Sequence, residues 1–186
     1  VRNLTAKETA KGNIVLNGGT VQNITLEQPI TASAHIVTNG SCTITNITIN
    51  GKIDADYPIE LTDALQQSSK ITISVSEVNR RDKQKIVNVQ ARAAQLNKFQ
   101  LQTALVDDFT LGSPSNSKDI LMYLRGVFIN AYSGSDSNSG LNSDNCVRTF
   151  AKAGKILKAQ LKNNTKFPKR IVVVNGTLSS RYSLLS

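Results

Sequence analysis

Tryptophan is absent from this chain, and methionine and histidine occur once each. Aromatics make up only 5% of the residues, too few to line a large stacking pocket, so the 39% apolar content must build its core from aliphatic side chains. The two cysteines, Cys42 and Cys146, have no CxxC spacing, which excludes a cysteine-based zinc site. They read as isolated buried thiols, since pairing would require their Cα atoms to come within about 7 Å. No apolar run approaches the roughly 18 residues of a membrane-spanning helix. The chain opens Val1-Arg2-Asn3-Leu4-Thr5, without the apolar stretch of a signal peptide, and stops soon after an apparent strand. We therefore expect a segment of a longer product.

Catalytic groups are equally sparse. His35, in the apparent strand Thr31 to Val37, has no carboxylate partner near it in sequence and reads as a structural or surface histidine. Glycoside hydrolysis uses two carboxylates several ångströms apart, but Asp54/Asp56 and Asp107/Asp108 read as turn acids, because neighbours in sequence need not face one substrate. Asp136-Ser137-Asn138-Ser139-Gly140 echoes a calcium loop, yet its glycine comes one position early and no closing glutamate follows. It reads as a Gly/Asn turn. No catalytic residue, cofactor or metal is expected in this segment. The Asn-x-Ser/Thr triplets beginning at Asn3, Asn23, Asn39, Asn46, Asn163 and Asn175 follow from composition and do not imply glycosylation.

What the chain has in quantity is Thr, Ser, Asn, Ile and Val, residues that favour β structure in small repeating layers. Asn23-Ile24-Thr25-Leu26 recurs as Asn46-Ile47-Thr48-Ile49, 23 residues later, and more loosely as Lys70-Ile71-Thr72-Ile73, a further 24 residues on. That period suits one solenoid coil, whose apolar face is buried only when equivalent strands stack. Gly18-Gly19, Asn39-Gly40 and Asn50-Gly51 supply turns. The same alternation also fits antiparallel hairpins, so the N-terminal region is expected to be either solenoid-like coils or an antiparallel sheet. In the middle, Lys70 to Val78, Lys85 to Ala93, Lys98 to Val106 and Asp119 to Gly126 read as strands or extended segments. Ile86 to Arg92 and Phe99 to Gln102 alternate clearly enough to favour an antiparallel sheet there. Thr62 to Ser68 reads as a short helix or turn, and Ala91 to Gln95 as a segment that could be helical.

The C-terminal third has a different grammar. Phe128 to Tyr132 is a strand, Ser133 to Asp144 a Gly/Ser/Asn/Asp loop, and Ile171 to Val174 a β-branched run expected to be covered on both faces. Between them, over Arg148 to Lys162, Phe150, Ala153, Leu157 and Leu161 recur at helical spacing with lysines on the other side. The GSDSNSG turn followed by Thr149, Phe150 and Ala153 resembles the opening of right-handed parallel β-helix proteins of the pectate-lyase-like class, among them phage tailspikes and bacterial surface proteins. That resemblance implies a helix capping the first rung of a solenoid. It says little of function, because one fold hosts many activities.

The net charge is +9 and the pI near 9.7. Nucleic-acid readers add stacking aromatics or a groove-binding motif to a basic stripe; neither occurs, and nucleic acid is not expected as a partner. Lys152, Lys155, Lys158, Lys162, Lys166, Lys169 and Arg170 surround the cap helix and read as a solvated face, or as a surface for an anionic ligand or partner. The expected architecture is thus mainly β, with a β-rich attachment or repeat region over 1–126 and a helix-capped opening of a parallel β-helix over 127–186. The resemblance implies a non-catalytic structural or adhesive part of an extracellular or virion-surface appendage, of tailspike or tail-fibre type. Such a part would assemble as a homotrimer beside other virion or cell-surface proteins and could contact polysaccharide. The alternatives are a bacterial surface adhesin, or the N-terminal part of a secreted polysaccharide lyase or hydrolase with its active site downstream.

Overall fold

Alternating Asn/Thr and Ile/Leu positions place one set of side chains in water and the other inward, and in the computed structural model this alternation stacks upon itself. The structure describes residues 1–7, 13–31, 36–54, 57–66 and 70–175. His35, Asp56 and the end of the expected helix at Thr62 to Ser68 lie outside these, wholly or in part. The strands are β1 (Asn3–Ala6), β2 (Ile14–Leu26), β3 (Ile36–Ile49), β4 (Ile59–Leu61), β5 (Ile71–Val75), β6 (Gln84–Val89), β7 (Phe99–Leu101), β8 (Phe109–Gly112), β9 (Ile120–Leu124), β10 (Val127–Asn130) and β11 (Ile171–Asn175), with one α-helix, α1 (Phe150–Asn163). The chain is mainly β and divides into two units, Val1–Tyr123 and Leu124–Ser186.

In the first unit the stacking is parallel. Asn3 pairs with Asn23, Asn23 with Asn46, Asn46 with Thr72 and Ile71 with Phe99, so successive coils advance by 20, 23, 26 and 28 residues. The long strands β2 and β3 turn a corner near Gly18 and Gly40, where the pairing register shifts between Asn17 and Gly19. The first part of β3 carries β4 and then β6; its last part carries β5 and then β7. Ile30 and Ile53 form an isolated parallel bridge outside these strands. Inward columns result: Ile24, Ile47, Ile73 and Leu101 on one side, Ile36, Ile59 and Val87 on another, all buried. Each such side chain contributes roughly 1.5–3 kcal/mol by leaving water.

Several expectations change here. The middle region is not an antiparallel sheet: β5, β6 and β7 stack in parallel, and β6 with β9 is an antiparallel pair. Period-two alternation reports one wet and one dry face, which a coil has as surely as a hairpin, and carries no information on strand direction. The third repeat aligns two residues later than the sequence suggests, with Thr72-Ile73-Ser74-Val75 on Asn46-Ile47-Thr48-Ile49; a shift of two leaves every inward residue inward. A copy of the repeat that sequence reading passed over, Asn3-Leu4-Thr5-Ala6, lies on Asn23 to Leu26. The expected strands of the middle region are shorter than their sequence runs: the 3-10 turn Glu77–Asn79 follows β5, Leu96–Lys98 and Thr103–Leu105 bound β7, and β6 gives way to a bend at Ala91. Thr62 to Gln66 is bend and coil, and Ala91 to Gln95 is not helical.

In the second unit β10 and β11 are parallel neighbours joined across α1. Val127, Ile129, Val147 and Ala153 form its buried core, with Phe150, Ile156, Leu157, Phe167 and Ile171 packed against them. The helix starts two residues later than expected, because Thr149 is the N-cap with extended backbone and a side chain that accepts from the Lys152 amide at 3.2 Å. Leu161 is half-buried rather than core, and Ile156 shares its role. β11 is not covered on both faces among the described residues, with Val174 46% exposed.

Candidate functional site: polar ladders and a basic face

The parallel register brings like residues one strand spacing apart, about 4.8 Å, and asparagine exploits this by donating from its amide to the carbonyl oxygen of its counterpart. Asn23 Nδ2 donates to Asn3 Oδ1 at 2.7 Å, and Asn46 Nδ2 to Asn23 Oδ1 at 2.9 Å. On the next coils Gln100 Nε2 donates to Thr72 Oγ1 at 3.0 Å, and Ser74 Oγ to Gln102 Oε1 at 2.7 Å. A second ladder runs at the corner, where Asn39 Nδ2 donates to Asn17 Oδ1 at 3.4 Å and Thr62 Oγ1 to Asn39 Oδ1 at 2.9 Å. The repeat read from the sequence aligns Asn23 with Asn46, but it does not assign their side chains to one another. Their recurrence at one position of each repeat was the available signal.

Where a coil lacks a strand, a side-chain amide takes its place. Asn79 is fully buried, and its Oδ1 accepts from the Ile53 amide at 2.9 Å while its Nδ2 donates to the Gly51 carbonyl at 2.8 Å. It thus presents the donor and acceptor of a peptide to the coil beside it. Gln95, also buried, accepts from the Leu65 amide at 3.2 Å. At Gly51 a Cβ would lie 1.7 Å from the Gln28 carbonyl oxygen, so only glycine permits the chains to approach there.

Titratable groups gather modestly in this unit. Tyr57 donates to Asp119 Oδ2 at 3.2 Å, with the Lys85 ammonium 5.4 Å from its ring centre. Burial, then the charge and hydrogen bond of Asp119, push the Tyr57 phenol up to about 12. Asp119 is committed to structure through Oδ1, which accepts from the Val89 amide at 2.9 Å. Asp54 pairs with Lys52 at 2.6 Å, and Asp107 and Asp108 lie in a turn. Among the described residues no group of three or more His, Cys, Asp and Glu could hold a metal ion, and no helix is long and apolar enough to cross a membrane. Cys42 and Cys146 are buried and form no disulfide, with Sγ 3.3 Å from the Leu16 carbonyl and 3.1 Å from the Ser143 carbonyl.

The basic residues singled out in the sequence belong to the second unit. At 3.6 residues per turn, Lys152, Lys155, Lys158 and Lys162 occupy roughly a third of the helix circumference, opposite Ala153, Ile156 and Leu157. Lys155, Lys158 and Lys162 are exposed and Lys152 is half-buried. Lys166 and Lys169 are exposed on the connection to β11, whereas the Arg170 stem packs where a Cβ on Gly126 would meet it at 2.8 Å. The lysines of α1 therefore share one face, and Arg170 is partly given to packing. All 13 acidic residues and 13 of the 22 cations precede Cys146, so the whole +9 excess is carried after Asp144.

The loop before the helix is tied to it by Asp136, a role not apparent from sequence. Its Oδ1 accepts from the Arg148 and Thr149 amides at 2.9 and 3.0 Å, and its Oδ2 from the Thr149 hydroxyl at 2.7 Å. The Thr149 hydroxyl foremost, then these amides and the Lys152 charge, hold the Asp136 carboxyl below its ordinary value of 3.8. The loop is a turn whose acid serves the helix start. No family model, curated protein or solved structure matches the chain.

Proposed function

We propose that this chain is a structural and adhesive segment of an extracellular or virion-surface appendage, of the tailspike or tail-fibre kind, and that the segment is itself non-catalytic. One observation carries the reading: coils stacked in register from β1 to β7, with apolar columns inside and amide ladders outside. Such a stack satisfies its backbone between coils and opens only by breaking many contacts together. It is suited to transmit force along its length. In this reading β10, α1 and β11 form the capped opening of a parallel β-helix. Trimer formation would cover strand edges that a lone solenoid leaves open.

Size-exclusion chromatography with light scattering tests the proposal. A stable trimer is expected; a strict monomer would instead favour a surface adhesin or the leading part of a secreted polysaccharide lyase or hydrolase. For the cap, Leu157→Asp puts a charge on the packed side of α1, and an unchanged thermal melt would count against it. The concentration of positive charge after Asp144 favours a second property, attraction of an anionic glycan or acidic partner to the lysine face. Retention on an anionic polysaccharide column that weakens with salt, and falls when Lys155, Lys158 and Lys162 become glutamine, is the expected outcome.

A further inference from the structure

The corner of the coil stack carries Asn17-Gly18, then Asn39-Gly40, then Thr62-Asp63 in successive coils. Gly18 and Gly40 have φ of +81° and +79°, which explains the glycines. An Asn-Gly step has a chemical cost, because no side chain shields the glycine nitrogen from the asparagine amide carbon before it. That nitrogen can attack Cγ: the N–Cγ bond forms, the Cγ–Nδ2 bond breaks, and Nδ2 leaves as ammonia with the proton from the glycine nitrogen. Water then opens the cyclic imide to aspartate or isoaspartate.

We propose that Asn39-Gly40 is a latent deamidation site and that Asp63 guards it. The third coil departs from the Asn-Gly pattern, and both of its corner side chains reach back to the second. The Gly40 amide donates to Asp63 Oδ2 at 2.7 Å, a charge-assisted bond. Attack requires that nitrogen to lose its proton and turn toward Cγ. A carboxylate accepting the proton holds the N–H outward and opposes negative charge growing on the nitrogen. Thr62 Oγ1 shares its one proton between the Thr38 carbonyl and, at 2.9 Å, Asn39 Oδ1, while Asn39 Nδ2 donates to Asn17 Oδ1 at 3.4 Å. The amide to be attacked is thereby held in the ladder. Conversion would set a new carboxylate beside Asp63 and remove the donor that Asn17 Oδ1 accepts, opening the ladder between coils.

The test is ageing of the full chain at mildly alkaline pH, followed by peptide mapping by mass spectrometry, for wild type, Asp63→Ala and Asp63→Asn. Loss of one charge-assisted hydrogen bond predicts roughly tenfold faster conversion at Asn39 in Asp63→Ala. Asp63→Asn, which keeps an acceptor oxygen without the charge, should fall between. Asn50-Gly51 is the internal control, since the Gly51 amide donates instead to the Leu26 carbonyl at 3.0 Å, and its conversion should not change. Three results would overturn the proposal: an unchanged rate at Asn39; a slower one, which would make Asp63 a base for the attack; or equal acceleration at Asn50, which would trace the effect to loosening of the whole stack.

Discussion

In the coil stack Ile47 lies between Ile24 and Ile73 and is fully buried, whereas on β11 of the second unit Val174 remains 46% exposed. Both are β-branched residues in parallel strands, so propensity does not separate them. The difference lies in repetition. A coil inside the stack has a like neighbour above and below, and each inward side chain meets its counterpart; among the described residues β11 pairs with β10 alone, and Val174 falls where their register shifts, between the partners of Ile129 and Asn130. Burial in the first unit is collective. In the second it depends on one helix and on a loop stitched to that helix by Asp136.

If this contrast is right, truncation should cost most inside the stack. Ile47→Ala is expected to destabilise the first unit by about 2–5 kcal/mol, and Leu157→Ala, at a half-buried site, to cost the second unit about half as much. Urea unfolding read by residue-resolved hydrogen exchange measures both; equal losses would erase the distinction. Gly51→Ala comes next, because its Cβ would overlap the Gln28 carbonyl and force backbone apart, at about 1–3 kcal/mol. The same melt should show a lower midpoint for the first unit alone. Asn23→Ala removes the middle of a ladder and should cost about 1 kcal/mol; a null result would make the ladder decorative.

The smallest effect belongs to the second unit and is a pH dependence. The folded chain holds the Asp136 carboxyl below its ordinary value of 3.8, so the ionised form is favoured by folding. Its contribution is present above that value and is lost as pH falls through the lowered one. Protection of the Arg148 and Thr149 amides against hydrogen exchange, taken relative to the intrinsic rate at each pH, should therefore fall on acidification below about 3.8 in the wild type. In Asp136→Asn it should be low at both ends of that range. Acid sensitivity surviving the substitution would remove Asp136 from the account.

Much of this architecture could be read in advance. The 23-residue recurrence of Asn-Ile-Thr located strands that pair in parallel, Asn23 with Asn46, and the spacing of Phe150, Ala153 and Leu157 located α1. The lysines at 152, 155, 158 and 162 followed as its outer face. The ladders escaped notice because an asparagine's partner is another asparagine some 20 residues away, invisible until register is known. The direction of the middle strands escaped for a similar reason, since alternation is identical in a coil and in a hairpin.

The amino-acid order alone determined the alternation of wet and dry residues in the Asn-Ile-Thr repeats, where the glycine corners and the helix fall, and that positive charge gathers after Asp144. Those are local properties, set by side-chain chemistry and by spacings of 2 and 3.6 residues. Tertiary structure decided which coil lies on which, that Asn79 stands in for a strand, that Asp136 reaches the start of α1, and that Asp63 meets the Gly40 amide. Each of these is a contact between distant parts of the chain, and its geometry exists only once the coils have stacked.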